Sequence, residues 1–507
     1  MALTESQRSN LRRPIRWLRN PEPEHPDEIP RRELSSLTFA LTGQNHIFSM
    51  AASDRFVHFC TNVLKIDPVH VGFMVSATAA FDAINDPLAG AIVDRYRFKD
   101  GRKLLPWLKF TSPLIAIFAF LLFINWGLSY GLSIFYAGAV YVMWDIAYSF
   151  HDAALWGMTA AIHPNSRQSA RTVQWADFGV FAGGLLPGLT MPMLGGGGAF
   201  GLSQQQVYFI FGLFLCLGGG LLTLFALQMK ERVRSLPEAE EQNRVTHPFK
   251  SVMQNIARIR HNHVLLLFLA ARIAESTVPN VADIFMFQDM QPYNVFGSEI
   301  HPSVMLMIFT IIWGFPGAAL KPFALKIADR VGSMKRILII GRVTAIAARV
   351  LGFLVGVRTW PALVIVCLLD GISHLPNSLF NIAQRSMLSD SVDYVEWKTG
   401  QRTEAITMSI RNFMSKFGSA IRRFIQGYTL RFLQHNPSLT EARLPQNAHF
   451  QQWIWPVFRL GPAVGLIVSL IPLLLLNYPD SLKLQVETDL AQRRALAEEE
   501  LMAGIAE

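Results

Sequence analysis

Apolar runs of about the length needed to cross a bilayer, roughly 20 residues, recur along nearly the whole chain and alternate with short polar, often basic, segments. Their spacing predicts membrane-spanning helices near 37–60, 70–94, 106–127, 130–153, 172–195, 207–229, 263–289, 302–325, 336–357, 361–388, 404–433 and 453–477. These runs are too long for barrel strands, so the pattern reads as an all-α membrane protein of about twelve helices.

A charged stretch at 230–262 (Lys230, Glu231, Arg232, Glu238, Glu240, Glu241) divides the spans six and six and reads as a cytoplasmic linker. The halves are then 37–229 and 263–477, flanked by polar tails at 1–36 and 478–507. A short repeat supports the division: Ile92-Val93-Asp94-Arg95 closes the second span and Ile327-Ala328-Asp329-Arg330 the eighth, which predicts two pseudo-symmetric halves. Recurrence of the Asp-Arg pair favours a gating latch between halves over a simple interface anchor. Arg95, Arg97, Lys99, Arg102 and Lys103 crowd the loop after the second span, whereas Asn125–Tyr130 holds no basic residue. By the positive-inside rule both termini are expected in the cytoplasm of a cell whose inner membrane the chain spans.

Composition narrows the function. Of 507 residues, 51% are hydrophobic and 16% charged, which leaves lipid as the expected solvent and the bilayer as a partner. The net charge of +9 resides in loops, so no nucleic acid is implied. Cys60, Cys216 and Cys367 stand alone, without metal-ligand or redox spacing. HExxH and P-loop motifs are absent, so no catalytic residue and no nucleotide is expected. A small-molecule solute, ionic coupling, no cofactor, no metal beyond a transported sodium and no obligatory protein partner complete the expectation.

Polar residues inside the spans mark where that solute and ion would bind. Asp82, Asn85 and Asp86 follow i, i+3, i+4 and share one helix face. An unpaired charge there costs about 2.5–3.5 kcal/mol on the mildest scale, so a cation should compensate. Pro87 frees the carbonyl of Ala83 as a further oxygen ligand. The alternative is that one carboxylate pairs permanently with Lys416 and ties helices together. In the fourth span Tyr141, Asp145, Tyr148 and Asp152 form a polar stripe; Asp145 lies well inside, while Asp152 reads equally as an interfacial residue. Ser409, Asn412, Lys416, Ser419 and Arg423 line one face of the eleventh span, with Arg423 either snorkelling or contacting an anionic solute. His46, Ser49 and Ser53 share a face of the first span that could meet a polyhydroxylated ligand, although a lone His more often bonds a neighbouring helix. Arg272 and Glu275, at i and i+3, read as a self-neutralising pair.

Three segments resemble the glycoside-pentoside-hexuronide cation symporters of the major facilitator superfamily. They are Phe81-Asp82-Ala83-Ile84-Asn85-Asp86-Pro87-Leu88-Ala89-Gly90 with Gly101-Arg102-Lys103 and Pro106-Trp107; Trp144-Asp145-Ile146; and Met387–Ile421 with Asp390, Asp393-Tyr394, Glu396, Lys398-Thr399-Gly400, Arg402, Glu404 and Lys416-Phe417-Gly418. The resemblance implies the major facilitator fold, Asp82 and Asp86 as cation ligands, Asp145 bridging cation and sugar, and Lys416 contacting sugar. It also implies a cytoplasmic gate built from Asp390, Asp393, Glu396 and Arg402. The chain departs from the family's sugar site: Asn45-His46 stands where a Lys-Asp pair is typical, Ser149 and Asn381 replace stacking tryptophans, and Trp175 replaces an arginine. The expected function is sodium- or proton-coupled symport of a glycoside, sugar or uronide. A carrier of lysolipid or another amphiphile on the same fold is the alternative.

Overall fold

The computed structural model describes residues 28–96, 98, 102–162, 166–194, 201–232, 263–305, 307, 330–331, 334–374, 387, 390–398, 404–442, 444–476, 481–486 and 488–493. Most of the expected span at 302–325 and most of the linker at 230–262 lie outside these residues. The long helices are α1 (Arg31–Ala51), α2 (Pro68–Arg95), α3 (Leu105–Leu121), α4 (Tyr130–Ala161), α5 (Ser166–Leu185), α6 (Gln204–Gln228), α7 (His263–Ala274), α8 (Met334–Val355), α9 (Trp360–His374), α10 (Glu404–Phe432) and α11 (Ala448–Leu475). Among the described residues, α6, Lys335–Val355 of α8, and α11 are each long and apolar enough to cross a membrane by composition alone. Helices of similar length, α2, α4 and α10, carry the charged residues singled out above.

Two compact units divide the chain: 1–66, 84–194 and 198–244 form one, and 67–83, 195–197 and 245–507 the other, so that α2 contributes to both. In the first unit α1 packs against α5 and α6, and α3 against α4 and α6. Close approach of α1 and α5 requires the absence of side chains at Gly179 and Gly183. A Cβ there would lie 2.5 Å from the Thr38 carbonyl and 2.6 Å from that of Thr42. The Thr38 and Thr42 hydroxyls reach back to the carbonyls of Trp175 and Gly179, each at 3.2 Å, which is the small-residue packing that membrane helices favour. Helix α6 begins with a capping box between Ser203 and Gln206 and passes through a π-helical stretch at Gly212–Leu217.

Residues just beyond α6 fasten this unit at one end. Arg232 donates both guanidinium arms to Glu33 of α1 (2.7 Å each) and also reaches the Ile162 carbonyl. The carboxylate bonded to it raises the Arg232 pKa further. Glu231 accepts from the N–H groups of Lys103 and Leu104 (3.0 and 3.1 Å), supplying acceptors and negative charge where α3 begins.

In the second unit the expected span at 263–289 is two pieces, α7 and a short helix Asp283–Gln288, interrupted around Pro279. Proline disfavours helical geometry in the residue before it. The Pro279 carbonyl also needs the bare Gly461 of α11, whose Cβ would sit 2.0 Å away. A two-stranded antiparallel hairpin follows, β1 (Tyr293–Val295) with β2 (Ser298–Ile300), turning at Phe296-Gly297, both at positive φ. Tyr293 donates its hydroxyl to the Val357 carbonyl (2.6 Å), and burial pushes its phenol pKa up.

Helices α7, α8, α9 and α11 are joined by buried ions. Arg342, 2% exposed, pairs with Glu275 and donates to the Ser469 hydroxyl (2.8 Å); Arg272 is a second, longer partner of Glu275 at 3.5 Å. Arg459, 1% exposed, holds both carboxylate oxygens of Asp370 (2.9 and 2.8 Å) and the Ala348 carbonyl, lying so close to Gly352 that a Cβ there would collide with it. Asp370→Ala should therefore strand a buried guanidinium and lower the unfolding free energy by about 3–5 kcal/mol, whereas Asp370→Leu with Arg459→Met should recover most of it. Thermal melting of the purified variants in one detergent measures both.

Candidate functional site

Helix α4 presents its polar stripe to α2 and α1 within the first unit. Ser149, 5% exposed, lies at the junction. Its hydroxyl accepts from the Asn85 amide (2.9 Å) and stands 2.7 Å from Asp86 Oδ1 and 3.0 Å from the Asp145 carbonyl. Its single proton can serve only one of those two acceptors at a time. One helical turn further along, the Gln44 amide of α1 donates to the Tyr148 hydroxyl (3.0 Å) and to Asp152 Oδ1 (2.5 Å). Asp145 is 7% exposed on the same helix, beside the aromatic series Tyr141, Trp144 and Tyr148.

The second unit holds the other predicted charges. Lys416 of α10 forms an ion pair with Asp82 of α2 at 2.5 Å. The two helices touch backbone to backbone: Ser76 donates to the Ala420 carbonyl (2.8 Å), and a Cβ on Gly427 would lie 2.4 Å from the Pro68 carbonyl. The backbone of Arg423 joins this seam, its carbonyl facing Gly72. Asp82 and Asp86 occupy positions i and i+4 of one helix, so a single turn of α2 carries both carboxylates.

Other expected residues take different places. Asn45 donates to the Leu41 carbonyl and packs on Gly183 of α5, and His46, 4% exposed, packs on Gly219 of α6. Both thus serve helix contacts within the first unit. Trp175 packs against the apolar core of that unit, its carbonyl accepting from Thr38. Asn381, Asp329 and Arg402 lie outside the described residues, as do the side chains of Asn412, Asp94 and Arg95; Arg330 is exposed. Of the expected gate, Asp390 pairs with Lys483 (3.0 Å) in the C-terminal segment, which also reaches Trp397 through Asp489 (2.8 Å) and Arg493 (2.9 Å). Asp393 and Glu396 share the helical stretch 390–398 with Asp390.

Gln44 and Tyr148 were not singled out as site residues from sequence, and Asp152 was as easily read as interfacial. Helix α4 runs to Ala161 rather than ending near residue 153, and this places Asp152 well within it. The extension is legible in retrospect, because Ala153–Ala161 contains no charge.

The family model described as MFS/sugar transport protein matches residues 42–480. The chain is 25% identical over 467 residues to the uncharacterized symporter YjmB of Bacillus subtilis (strain 168), spanning 91% of this chain and 95% of that one. It is 23% identical over 481 residues to the isoprimeverose transporter of Lactiplantibacillus pentosus, spanning 93% of each. The crystal structure of the nucleoside transporter NupG aligns over 88% of this chain and 99% of its own, with TM-score 0.57 and 14% identity, a likeness of fold alone.

Removing one member of the α2–α10 ion pair should cost more than removing both. Lys416→Ala is expected to lower the melting temperature, and Asp82→Asn added to it to restore part of the loss. The double-mutant cycle should give a coupling of about 0.5–3 kcal/mol. Additive effects in the same melting assay would mean that the pair contributes nothing to stability.

Proposed function

The chain belongs to the glycoside-pentoside-hexuronide cation symporters of the major facilitator superfamily, and from that premise we propose that it couples entry of a glycoside, sugar or uronide to a sodium or proton gradient. The observation that carries the reading is the pairing of two acidic groups on one turn of α2, Asp82 with Lys416 and Asp86 with Ser149. The reach of α4 from Ser149 to Asp152 extends it to the solute.

The cation is the partner that such a turn of helix demands. Two carboxylates four residues apart in an apolar span repel each other, and Lys416 neutralises only part of their charge. A sodium ion with carboxylate and amide oxygens, or a proton on one carboxylate, lowers the remaining cost. Asp82, Asp86, Asn85 and Asp145 are the proposed cation-binding residues, and no resident cofactor is needed. Sugar hydroxyls donate to carboxylates and accept from amides and ammonium groups. Within the first unit Asp152 held by Gln44, together with Tyr148 and Asp145, offers acceptors and an amide, and Lys416 is proposed as a solute contact on the strength of the family resemblance. Asp152 thereby joins Asp145 among the proposed solute residues. The relative named for isoprimeverose transport favours a carbohydrate solute here. No observation favours the amphiphile carrier. Both termini are placed in the cytoplasm on the strength of the basic loops.

Proteoliposomes with imposed sodium or proton gradients test the reading, using a panel of disaccharides, uronides, sulfonated sugars and lysolipids. Uphill accumulation of a carbohydrate under one gradient is the expected result, and movement of lysolipid alone would overturn it. Asp82→Asn and Asp86→Asn should each abolish gradient-driven accumulation, while Asp152→Asn should raise the KM for solute about tenfold or more, the scale of a lost charged hydrogen bond. Undiminished uphill uptake by both α2 variants would refute the cation site.

A further inference from the structure

Both phenylalanines of helix α1 are exposed, and they lie on opposite faces. Phe39 is 45% and Phe48 41% exposed, and their spacing along the helix, two and a half turns at about 3.6 residues each, turns one ring away from the other. Phe39 meets Phe225 of α6 with ring centroids 5.3 Å apart, an all-apolar contact of the kind that suits lipid.

Phe48 has different neighbours. Gln44 lies one turn earlier on the same face and donates its amide to the Tyr148 hydroxyl and to Asp152 of α4. Tyr148 in turn meets the Phe48 ring, with centroids 5.4 Å apart and planes tilted by 33°. Behind it the buried Trp144 meets Tyr148 at 5.2 Å and fixes that ring in place. Phe48 is thus backed by tyrosine on one side, and its exposed part borders an amide, a phenol and a carboxylate. Apolar aromatic surface with a few convergent polar groups is the usual make-up of a small-molecule site.

Gln44 gives an independent sign of a ligand. Its side chain is buried, and its Oε1 has no donor among the described residues. The amide is oriented by its own bonds: Nε2 faces Asp152, which when ionised can only accept, so Oε1 is the atom left over. A buried acceptor without a donor is costly, and a hydroxyl from a solute removes that cost.

We propose that a pyranose ring of the solute stacks on Phe48 while one of its hydroxyls donates to Gln44 Oε1. This deepens the carbohydrate reading and rests on it. The C–H bonds of a pyranose with equatorial hydroxyls form an apolar face of ring size, and its hydroxyls project from the rim as donors and acceptors. That matches an exposed phenyl ring rimmed by Gln44, Tyr148 and Asp152. An open-chain polyol has the hydroxyls without the flat apolar face, and a lipid tail has no donor for Gln44. The stacking ring is supplied from α1 and not from position 149 of α4, which holds Ser149 bonded to Asp86.

Uptake into proteoliposomes under imposed sodium or proton gradients, with isoprimeverose, lactose and methyl glucuronide as probes, reads KM and maximal rate for each variant. Phe48→Leu keeps an apolar side chain but loses the flat ring, and should raise KM about threefold to tenfold with the maximal rate unchanged. Phe48→Tyr restores the ring and should bring KM back to the wild-type value. Phe39→Leu, on the opposite face, should leave KM unchanged, and all three variants should melt with the wild type. Should Phe48→Leu fold poorly, Phe48→Met makes the same comparison. A wild-type KM in the folded Leu or Met variant, a loss in Phe48→Tyr equal to that in Phe48→Leu, or an equal loss in Phe39→Leu would each overturn the stacking role while leaving symport in place. A wild type that accumulates none of the three probes under either gradient would overturn the carbohydrate reading and this proposal together.

Discussion

Charge held inside apolar helices is the constraint from which the rest of this structure follows. An ion removed from water requires a compensating partner, and the two units meet that demand with different contacts. In the second unit, acids face bases: Glu275 meets Arg342, Asp370 meets Arg459, and Asp82 meets Lys416. In the first, neutral donors hold Asp86 and Asp152, Ser149 for one and Gln44 for the other. The arginine pairs join α7, α8, α9 and α11 by forked hydrogen bonds whose disruption strands a guanidinium. A hydroxyl or an amide can exchange its partner at lower cost, as a site that must bind and release requires.

Much of this was legible in the sequence because charge is conspicuous in an apolar run. Asp82, Asp86 and Lys416 stood out by position alone, and the fold places Lys416 against Asp82. That contact was anticipated both as a permanent tie and as a lysine that trades places with a cation. The ion pair by itself does not separate these roles; the second acid, Asp86 at i+4, is bonded to Ser149 and is the further carboxylate that the proposed function assigns to the cation.

What the sequence concealed has physical causes. Helical periodicity assigns a residue to a face without saying which helix that face meets. The Cβ atoms of Asn45 and His46 pack on the bare surfaces of Gly183 on α5 and Gly219 on α6, neighbours that periodicity alone does not name. Asp152 reads equally as interfacial from sequence because periodicity does not show that Gln44 of α1 stands beside it. Arg342, Asp370 and Arg459 stand out less because none has an opposite charge within two helical turns of its own span, and their partners lie 67 and 89 positions away in the sequence. Ion pairs of that kind become visible only when the helices are brought together.

Helix α4 unites the separate strands of the argument. One face carries Asp145, Ser149 and Asp152. Ser149 has one proton and two acceptors in reach, the Asp86 carboxylate and the Asp145 carbonyl. Under the proposed function, a cation at Asp86 would compete with that proton for the same oxygen, and displacing it would turn the hydroxyl towards the backbone of α4. Occupancy of the acidic turn on α2 would thereby be felt on the helix that carries Asp152. A ligand shifts an equilibrium only through such differences in contact between states. Under the proposed function, a shared hydroxyl is the smallest device that keeps ion and solute from binding independently, and it requires no direct contact between them.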